Sequence, residues 1–417
     1  MNAQRAASVT LTVTDAARAQ RRTLWVLSVG QILGGIAFGA TVSLGAVLAS
    51  EVAGSEAFAG LAAAAVTLGT ALLAIPLAGV ARRFGRRISL AGGMLIALVG
   101  VAFVVVAVSI ASLPLLIVAF LLVGGGQAAN LQSRFAAADL ATDASRGRDL
   151  SIVVWATTIG AVLGPNLTGP GEALGALVGM PPLTGPYLFT IAGQVLGVLL
   201  YLLVLRPDPL LLAQRIVAER RSGAGTAPIA KPDRPVVARY AIGSVAAAHG
   251  VMVSVMAMTP VHLLHHGADL SIVGVTISLH IAGMFALSPV FGILSDRVGR
   301  VPTILLGQAL LIAALLTASF GQDSTTAVTL GLVLLGLGWS ASTVAGSALL
   351  TEASAEDRRT RRQGLSDFTM SLVGAAGAAG AGLVLAWIGY GGLALLLMAA
   401  VVAVIVLSPF GRIPQRS

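Results

Sequence analysis

The sequence contains no cysteine among its 417 residues. Disulfides, thiolate metal ligands and cysteine nucleophiles are therefore excluded. Charge is also scarce, because Asp, Glu, Lys and Arg together make up 10% of the chain, against about 25% in an average soluble protein. No nucleophile–base constellation or phosphate-binding loop is present, so we do not expect an enzyme.

Long hydrophobic runs occupy most of the chain, and 56% of its residues are hydrophobic. A run of about 20 apolar residues forms a helix that crosses the ~30 Å core of a bilayer. These runs are too long for the strands of a membrane barrel, so the composition predicts an all-α polytopic membrane protein. We predict twelve spans, near 23–49, 57–80, 88–108, 112–138, 150–171, 185–205, 238–264, 271–294, 302–320, 325–349, 365–388 and 391–409.

Basic residues are distributed on one side of this topology. Arg134 is the only Lys or Arg in the interior of a predicted span, and the other 25 lie in the tails, in loops of one side or, for Arg239, at the edge of the seventh span on that same side. Cytoplasmic loops carry the excess of Lys and Arg, so both termini are predicted to be cytoplasmic, in a bacterial-type inner membrane. The net charge of +9 is thus a topology signal, and the expected surroundings are the lipid bilayer rather than nucleic acid.

The polar stretch 215–239 separates six spans from six, and its Gly, Pro and charge content suits a flexible connector. A loop is also repeated after the second span of each half, as "AGVARRFGRR" (78–87) and "FGILSDRVGR" (291–300). Two related halves are a transporter architecture. We divide the chain into a cytoplasmic N-tail 1–22, an N-terminal half 23–206, a cytoplasmic linker 207–237, a C-terminal half 238–410 and a C-tail 411–417.

The second loop resembles the cytoplasmic signature loop of the major facilitator superfamily. That resemblance covers the whole chain and implies twelve transmembrane helices in two six-helix halves, with this loop latching the cytoplasmic gate. The first copy departs from the pattern, with Ala78 in place of Gly and Arg82 in place of Asp, and a differently built latch is expected there. The matching residues are Gly292, Asp296, Arg297, Gly299 and Arg300 in the second copy and Arg83, Gly85 and Arg86 in the first.

The fifth span contains "GAVLGPNLTG" (160–169), which resembles the superfamily's GxxxGPxxGG motif. Gly160 and Gly164 are four apart on one helix face, which favours close helix packing. Pro165 removes a backbone hydrogen bond and permits a bend. In the superfamily this motif is associated with antiporters.

Methionine and histidine recur at helical spacing in the seventh and eighth spans. Met252 and Met256 are four apart, as are His280 and Met284, so each pair lies on one helix face at a similar depth. His249 continues the stripe of Met252 and Met256 at i, i+3 and i+7. Thioethers and imidazoles are soft ligands that suit copper, particularly Cu(I). Packing of flexible methionines is the alternative interpretation.

The paired MxxxM and HxxxM, together with "GQAANLQSRFAAADLA" and "VVWATTIGAVLGPNL", resemble the CcoA-like copper importers of the superfamily. The resemblance implies that Met252, Met256, His280 and Met284 bind copper as the transported substrate, with no permanently bound cofactor. The chain lacks the cysteines that members of that branch often carry. Related members import riboflavin, so an importer of riboflavin or another small organic solute remains open, as do a drug/proton antiporter and a membrane sensor.

Arg134 is predicted to be a cavity charge near the cytoplasmic end of the fourth span, because a cation inside a span needs a partner or water. We expect it to contact Asp139 or an anionic group in the cavity. Asp367 lies near the cytoplasmic start of the eleventh span, where helix capping is expected.

Overall fold

The computed structural model of the chain describes residues 13–55, 58, 60–223, 232–268 and 270–412. Over those residues the chain is helical, with no strand. The α-helices are α1 Val13–Ala53, α2 Gly60–Phe84, α3 Arg86–Ser109, α4 Leu113–Ala138, α5 Arg146–Asn166, α6 Thr168–Leu177, α7 Tyr187–Leu199, α8 Pro209–Gly223, α9 Pro235–His265, α10 Leu270–Phe285, α11 Ser288–Arg297, α12 Arg300–Phe320, α13 Thr325–Ala353 and α14 Glu356–Val406.

Nine helical segments of the described chain are long and apolar enough to cross a membrane. Helix α1, with 41 residues, and helix α5, with 21 residues, also have spanning length. Helix α14 supplies two spans, because Gly389 adopts φ 72° and ψ 178° and turns the chain between them. The predicted all-α fold with twelve transmembrane helices is therefore confirmed.

Three segments differ from the sequence-based expectation. Residues 13–22 of the predicted N-tail are helical, and they form the start of α1. The predicted flexible connector is helical at both ends, because α8 continues to Gly223 and α9 begins at Pro235. The eighth span is broken into α10 and α11 between Phe285 and Ser288, where Pro289 offers no backbone N–H to continue the ladder.

Glycine allows the helices to approach at backbone distance, as is usual where packing in lipid depends on van der Waals contact. A Cβ atom on Gly69 of α2 would lie 1.9 Å from the carbonyl oxygen of Leu121 in α4. Facing it, a Cβ on Gly124 would lie 2.5 Å from the backbone of Val66 and Thr70. A larger residue at either glycine would force α2 and α4 apart.

The N-terminal half comprises α1–α7 and the C-terminal half α9–α14. The halves meet along two helix pairs, because α2 packs against α14 and α5 packs against α11. At the first contact, a Cβ on Gly364 would lie 2.4 Å from Cβ of Ala78. At the second, a Cβ on Gly292 would lie 2.6 Å from the carbonyl oxygen of Gly147. The two halves are thus closely packed on the side of the molecule where the two repeated loops lie.

Candidate transport site and cytoplasmic gate

The predicted Met/His residues lie in the core of the C-terminal half. Met252 is 2% exposed and Met284 is 9% exposed, and both belong to one buried cluster with Trp339 of α13. Met256 is partly buried and packs against the same cluster. Helices α9 and α10 contact each other over only a short length, and each packs along α13. Helix α13 therefore joins the two methionine-bearing helices.

His280 is fully buried, and its two ring nitrogens are in different situations. Nδ1 lies 2.7 Å from the backbone carbonyl oxygen of Leu332 in α13. Because a carbonyl oxygen only accepts, Nδ1 carries the proton of the neutral ring and donates a hydrogen bond to that oxygen. Nε2 is buried and has no hydrogen-bond partner. A buried imidazole whose Nδ1–H is held by a carbonyl presents an Nε2 lone pair, which is the arrangement of a metal-binding histidine.

His249 is engaged differently, although it lies on the same stripe as Met252. The indole N–H of Trp339 donates to Nδ1 of His249 over 3.0 Å. That nitrogen is therefore occupied as an acceptor, and the proton of the neutral ring is on Nε2. In this tautomer His249 offers no lone pair to a metal, which separates it from His280. A sequence pattern alone gives no signal for Trp339, which is 90 residues away.

Within the described residues, no three side chains of His, Asp or Glu are grouped closely enough to hold a metal ion. A metal bound there would depend on a group rich in thioethers. Met284 lies in the final turn of α10, directly before the break that precedes Ser288. Broken helices lie beside the substrate site in many transporters.

The second signature loop joins the two halves at the side that is predicted to be cytoplasmic. Asp296, in the last turn of α11, accepts hydrogen bonds from the backbone N–H groups of Gly147 and Arg148, both at 2.8 Å. These N–H groups belong to the first turn of α5, where unpaired donors and the helix dipole favour a carboxylate. Arg300 pairs with Asp296, and its Nη2 donates to the carbonyl of Asp143 at 2.8 Å. Arg297 of the same loop is exposed.

The first signature loop uses other partners. Arg86 is fully buried, and its Nε donates to Asp139 at 2.8 Å while its Nη2 donates to Gln363 of α14 at 2.5 Å. Arg82 and Arg83 are exposed. Gly85 and its counterpart Gly299 have φ of 89° and 114°, which only glycine adopts readily.

Arg134 lies in the interior of this gate rather than in an open cavity. Its Nη2 donates to Oδ1 of Asp367 in α14 at 2.5 Å, and the side chains are 3% and 0% exposed. Asp139 is the partner of Arg86 instead. Arg134 therefore contacts an anionic group, which was one of the two expected alternatives, but this group is Asp367 and not Asp139. The expectation that Asp367 caps a helix is wrong. Asp367 is the twelfth residue of α14, too far from the helix start to cap it.

The N-terminus of α14 is capped by a residue of the linker. Asp233 accepts the backbone N–H of Ala355 at 3.1 Å and two hydrogen bonds from Arg362 at 2.6 and 2.9 Å. Arg358 adds an ion pair at 3.1 Å. Partial burial would raise the pKa of Asp233, but the hydrogen bonds from Arg362 and Ala355 and the charges of Arg362 and Arg358 lower it overall.

Gly160 of α5 packs directly on α1, since a Cβ at this position would lie 2.7 Å from Cα of Gly35. Gly164 and the backbone of Pro165 lie in the last turn of α5, which ends at Asn166. The helix is interrupted at Leu167 and continues as α6 from Thr168, so the fifth span is broken directly after Pro165. The side chain of Pro165 is outside the described part.

Gln31 and Gln194 are two buried glutamines of the N-terminal half whose amide oxygens have no hydrogen-bond partner. Gln31 of α1 donates to Thr157 of α5 at 2.9 Å, while its own carbonyl oxygen has no partner. The carbonyl oxygen of Gln194 in α7 is likewise buried and without a partner, beside a narrow cavity that also contacts Gln127. These two acceptors could bind a polar solute, and no motif or spacing in the sequence indicates them.

A family model described as Major Facilitator Superfamily matches residues 27–267 and 240–416 of the chain. The uncharacterized MFS-type transporter YddS of Bacillus subtilis (strain 168) is 39% identical over 375 residues, which cover 89% of this chain and 86% of that protein. The riboflavin transporter RfnT of Brucella anthropi is 29% identical over 373 residues, covering 86% of this chain and 87% of that protein.

Solved structures share the fold at low sequence identity. The human organic anion transporter MFSD10 has a TM-score of 0.72 at 18% identity and covers 93% of this chain and 99% of that chain. A bacterial homologue of the iron transporter ferroportin, in an outward-facing state, has a TM-score of 0.67 at 17% identity and covers 93% and 98%.

Proposed function

Since the chain belongs to the major facilitator superfamily, we propose that it is a transporter that imports copper through the Met/His site on α9 and α10. Members of this superfamily are transporters rather than enzymes. The proposed setting is a bacterial-type cytoplasmic membrane with both termini in the cytoplasm, as the distribution of arginine predicts.

The observation that carries the proposal is the state of His280. Its Nε2 is buried and unpartnered while Nδ1 is held by Leu332, and an unsatisfied buried polar atom is destabilising unless a ligand uses it. Met284 follows one helical turn later, and Met252 and Met256 belong to the same side-chain cluster. One imidazole with three thioethers is a donor set for Cu(I) and not for Mg²⁺ or Ca²⁺.

Alternating access follows from the position of the gate. The ties of Asp296, Arg86 and Arg134 hold the halves together at the cytoplasmic side, so copper enters from the opposite side. Release then requires that these ties break and that the halves rock about the site.

The test is copper uptake by copper-starved cells that express the chain, with riboflavin uptake followed in parallel. Substitution by leucine keeps the volume of methionine and removes the sulfur. We expect Met252→Leu, Met256→Leu and Met284→Leu each to lower copper uptake at least tenfold, and His280→Gln to abolish it.

Met258→Leu is the matched control. Met258 lies on α9 and packs on the same cluster, but its sulfur faces Gly382 of α14. The Met258→Leu variant should therefore leave copper uptake unchanged. Copper uptake that is equal in all variants would show that the methionines only fill space.

A second candidate is an importer of riboflavin or a similar organic solute. The 29% identity with RfnT and the two unpartnered carbonyl oxygens of Gln31 and Gln194 favour it. Both oxygens accept hydrogen bonds, which suits a ring that carries N–H groups. This candidate predicts riboflavin uptake that Gln194→Leu lowers and Met252→Leu does not.

A further inference from the structure

A cavity in the described part of the chain lies at the end of the N-terminal half that carries the first signature loop, away from the Met/His residues. It has a volume of about 280 Å³ and is lined by the end of α2, the start of α3, the segment that follows α7 and one face of α8. The lining residues are Phe84, Arg87, Arg206, Pro207, Asp208, Leu211, Leu212 and Arg215. We call it the basic cavity.

The charge in the basic cavity is unbalanced. Asp208 is the one carboxylate among its lining residues, and that carboxylate is already occupied by backbone donors. It accepts from the N–H of Arg87 at 2.8 Å, of Leu210 at 3.0 Å and of Leu211 at 3.2 Å. Among the described residues, Arg87, Arg206 and Arg215 have no carboxylate within ion-pair distance. Three guanidinium groups and one carboxylate therefore line the cavity, and its lining carries a net positive charge.

The side of the cavity toward the membrane is apolar. Phe84 is 58% exposed at its rim, and Leu203, immediately before the segment that lines it, is 62% exposed. Deeper along α3 and α7, Leu95 and Leu199 are also exposed. Such side chains contact acyl chains in a bilayer, so the cavity opens onto lipid at the height of the cytoplasmic headgroups.

We propose that the basic cavity binds an anionic phospholipid of the cytoplasmic leaflet. Arg87, Arg206 and Arg215 contact the phosphate and the charged headgroup, since planar guanidinium groups bind phosphate oxygens in pairs. The acyl chains lie along the exposed leucines of α3 and α7. Because Asp208 fixes the start of α3 and the start of α8 together, the bound lipid stabilises the junction between the N-terminal half and the linker.

The test is native mass spectrometry of the full-length protein in detergent, titrated with dioleoyl phosphatidylglycerol, dioleoyl phosphatidylcholine or inorganic phosphate. We expect phosphatidylglycerol to bind at least tenfold more tightly than phosphatidylcholine, and inorganic phosphate not to compete. Each of Arg87→Gln, Arg206→Gln and Arg215→Gln should weaken phosphatidylglycerol binding about fivefold, and the three together about a hundredfold.

A triple variant with the same change in net charge provides the control. Arg82, Arg361 and Arg412 are exposed and lie outside the cavity, so their replacement by Gln should leave the affinity within twofold. The proposal is overturned if this control weakens binding as much as the cavity variants do, because bulk charge is then the cause. It is equally overturned if inorganic phosphate competes, which would indicate a site for soluble anions. If a cavity variant fails to fold, the wild-type protein is compared at low salt and at 1 M salt. Loss of its preference for phosphatidylglycerol at 1 M salt supports the proposal, and an unchanged preference overturns it.

Discussion

The two signature loops occupy equivalent places in the two halves but join the halves in different ways. In the second loop, Asp296 reaches across to the first turn of α5 and Arg300 supports it. In the first loop the equivalent carboxylate is replaced by the exposed Arg82, and the tie to the other half is made by Arg86, which bonds Gln363. A sequence repeat thus fixes the place of a contact, whereas the residue at one position decides its chemistry.

The helix that each loop faces explains the difference. Leu150–Ser151 of α5 corresponds to Leu365–Ser366 of α14, so the start of α5 at Arg146 corresponds to residue 361. Helix α14 begins five residues earlier, at Glu356. The start of α14 therefore lies more than one turn before the position that corresponds to the start of α5, and there Asp233 of the linker accepts the backbone N–H of Ala355. The carboxylate that joins two halves in one copy is replaced by one that acts within a single half.

The largest change in the separation of the two halves is expected when the buried pair behind the first loop, Arg134 with Asp367, is broken. Asp367→Asn leaves Arg134 buried without a counter-charge, which costs about 3–5 kcal/mol and should open the cytoplasmic side. The absence of native cysteine allows spin labels to be placed at Arg83 and Arg361, exposed residues on α2 and α14. Pulsed electron paramagnetic resonance should show the label distance shifting to longer values.

The double variant Arg134→Met/Asp367→Leu distinguishes a gate from a structural defect. Replacing both members of a buried pair by apolar groups of similar size is often neutral, so the short distance should return. A long distance in the double variant as well would mean that the charges do not hold the gate, and that the packing of α4 on α14 does.

The sequence predicted the spans and the repeated loops because both depend on local signals, namely apolar length and a short motif. It did not predict the pair of Arg134 with Asp367, since the partners are 233 residues apart and Asp139, only five residues from Arg134, was the partner that local spacing suggested. The hydrogen bond from Trp339 to His249, which distinguishes the two histidines, depends on how α9 packs on α13. No spacing in either helix encodes that packing.

A smaller effect is expected from the second loop itself. Asp296→Asn removes the charge from the hydrogen bonds to α5 and from the pair with Arg300, a loss of about 1.5–3 kcal/mol. Labels at Ala144 and Arg297, both exposed, should move apart while the Arg83–Arg361 distance changes less. Asp357→Asn is the control, because Asp357 is 75% exposed and its ion pair with Arg358 is long, at 3.8 Å. Equal shifts in the two variants would refute a specific latch.

Asp233 should affect stability without affecting the gate. Asp233→Asn weakens the cap of α14, which stabilises by about 1 kcal/mol, and both label distances should stay as in the wild type. The folded pKa of Asp233 is lowered, so its contribution is complete above the unfolded value of about 3.9 and is lost as the pH falls through the folded value. The difference in Tm between wild type and variant should therefore be constant between pH 7 and pH 5 and should shrink progressively as the pH falls below about 4. A difference that grows as the pH falls would contradict this assignment.

The smallest effect is expected from restoring the carboxylate that the first loop lacks. In Arg82→Asp the new side chain faces the second turn of α14, whose N–H groups are already bonded within the helix, so it finds no donors like those of Gly147 and Arg148. We expect the free energy of unfolding to change by no more than about 0.5 kcal/mol, as it does for a surface substitution. The distance between labels at Arg83 and Arg361 should stay unchanged. Nor should Arg82→Asp recover the Tm lost in Asp233→Asn. Recovery would show that α14 can shorten by a turn and expose its N–H groups to the first loop, and the length of α14 would then be a consequence of Arg82 rather than its cause.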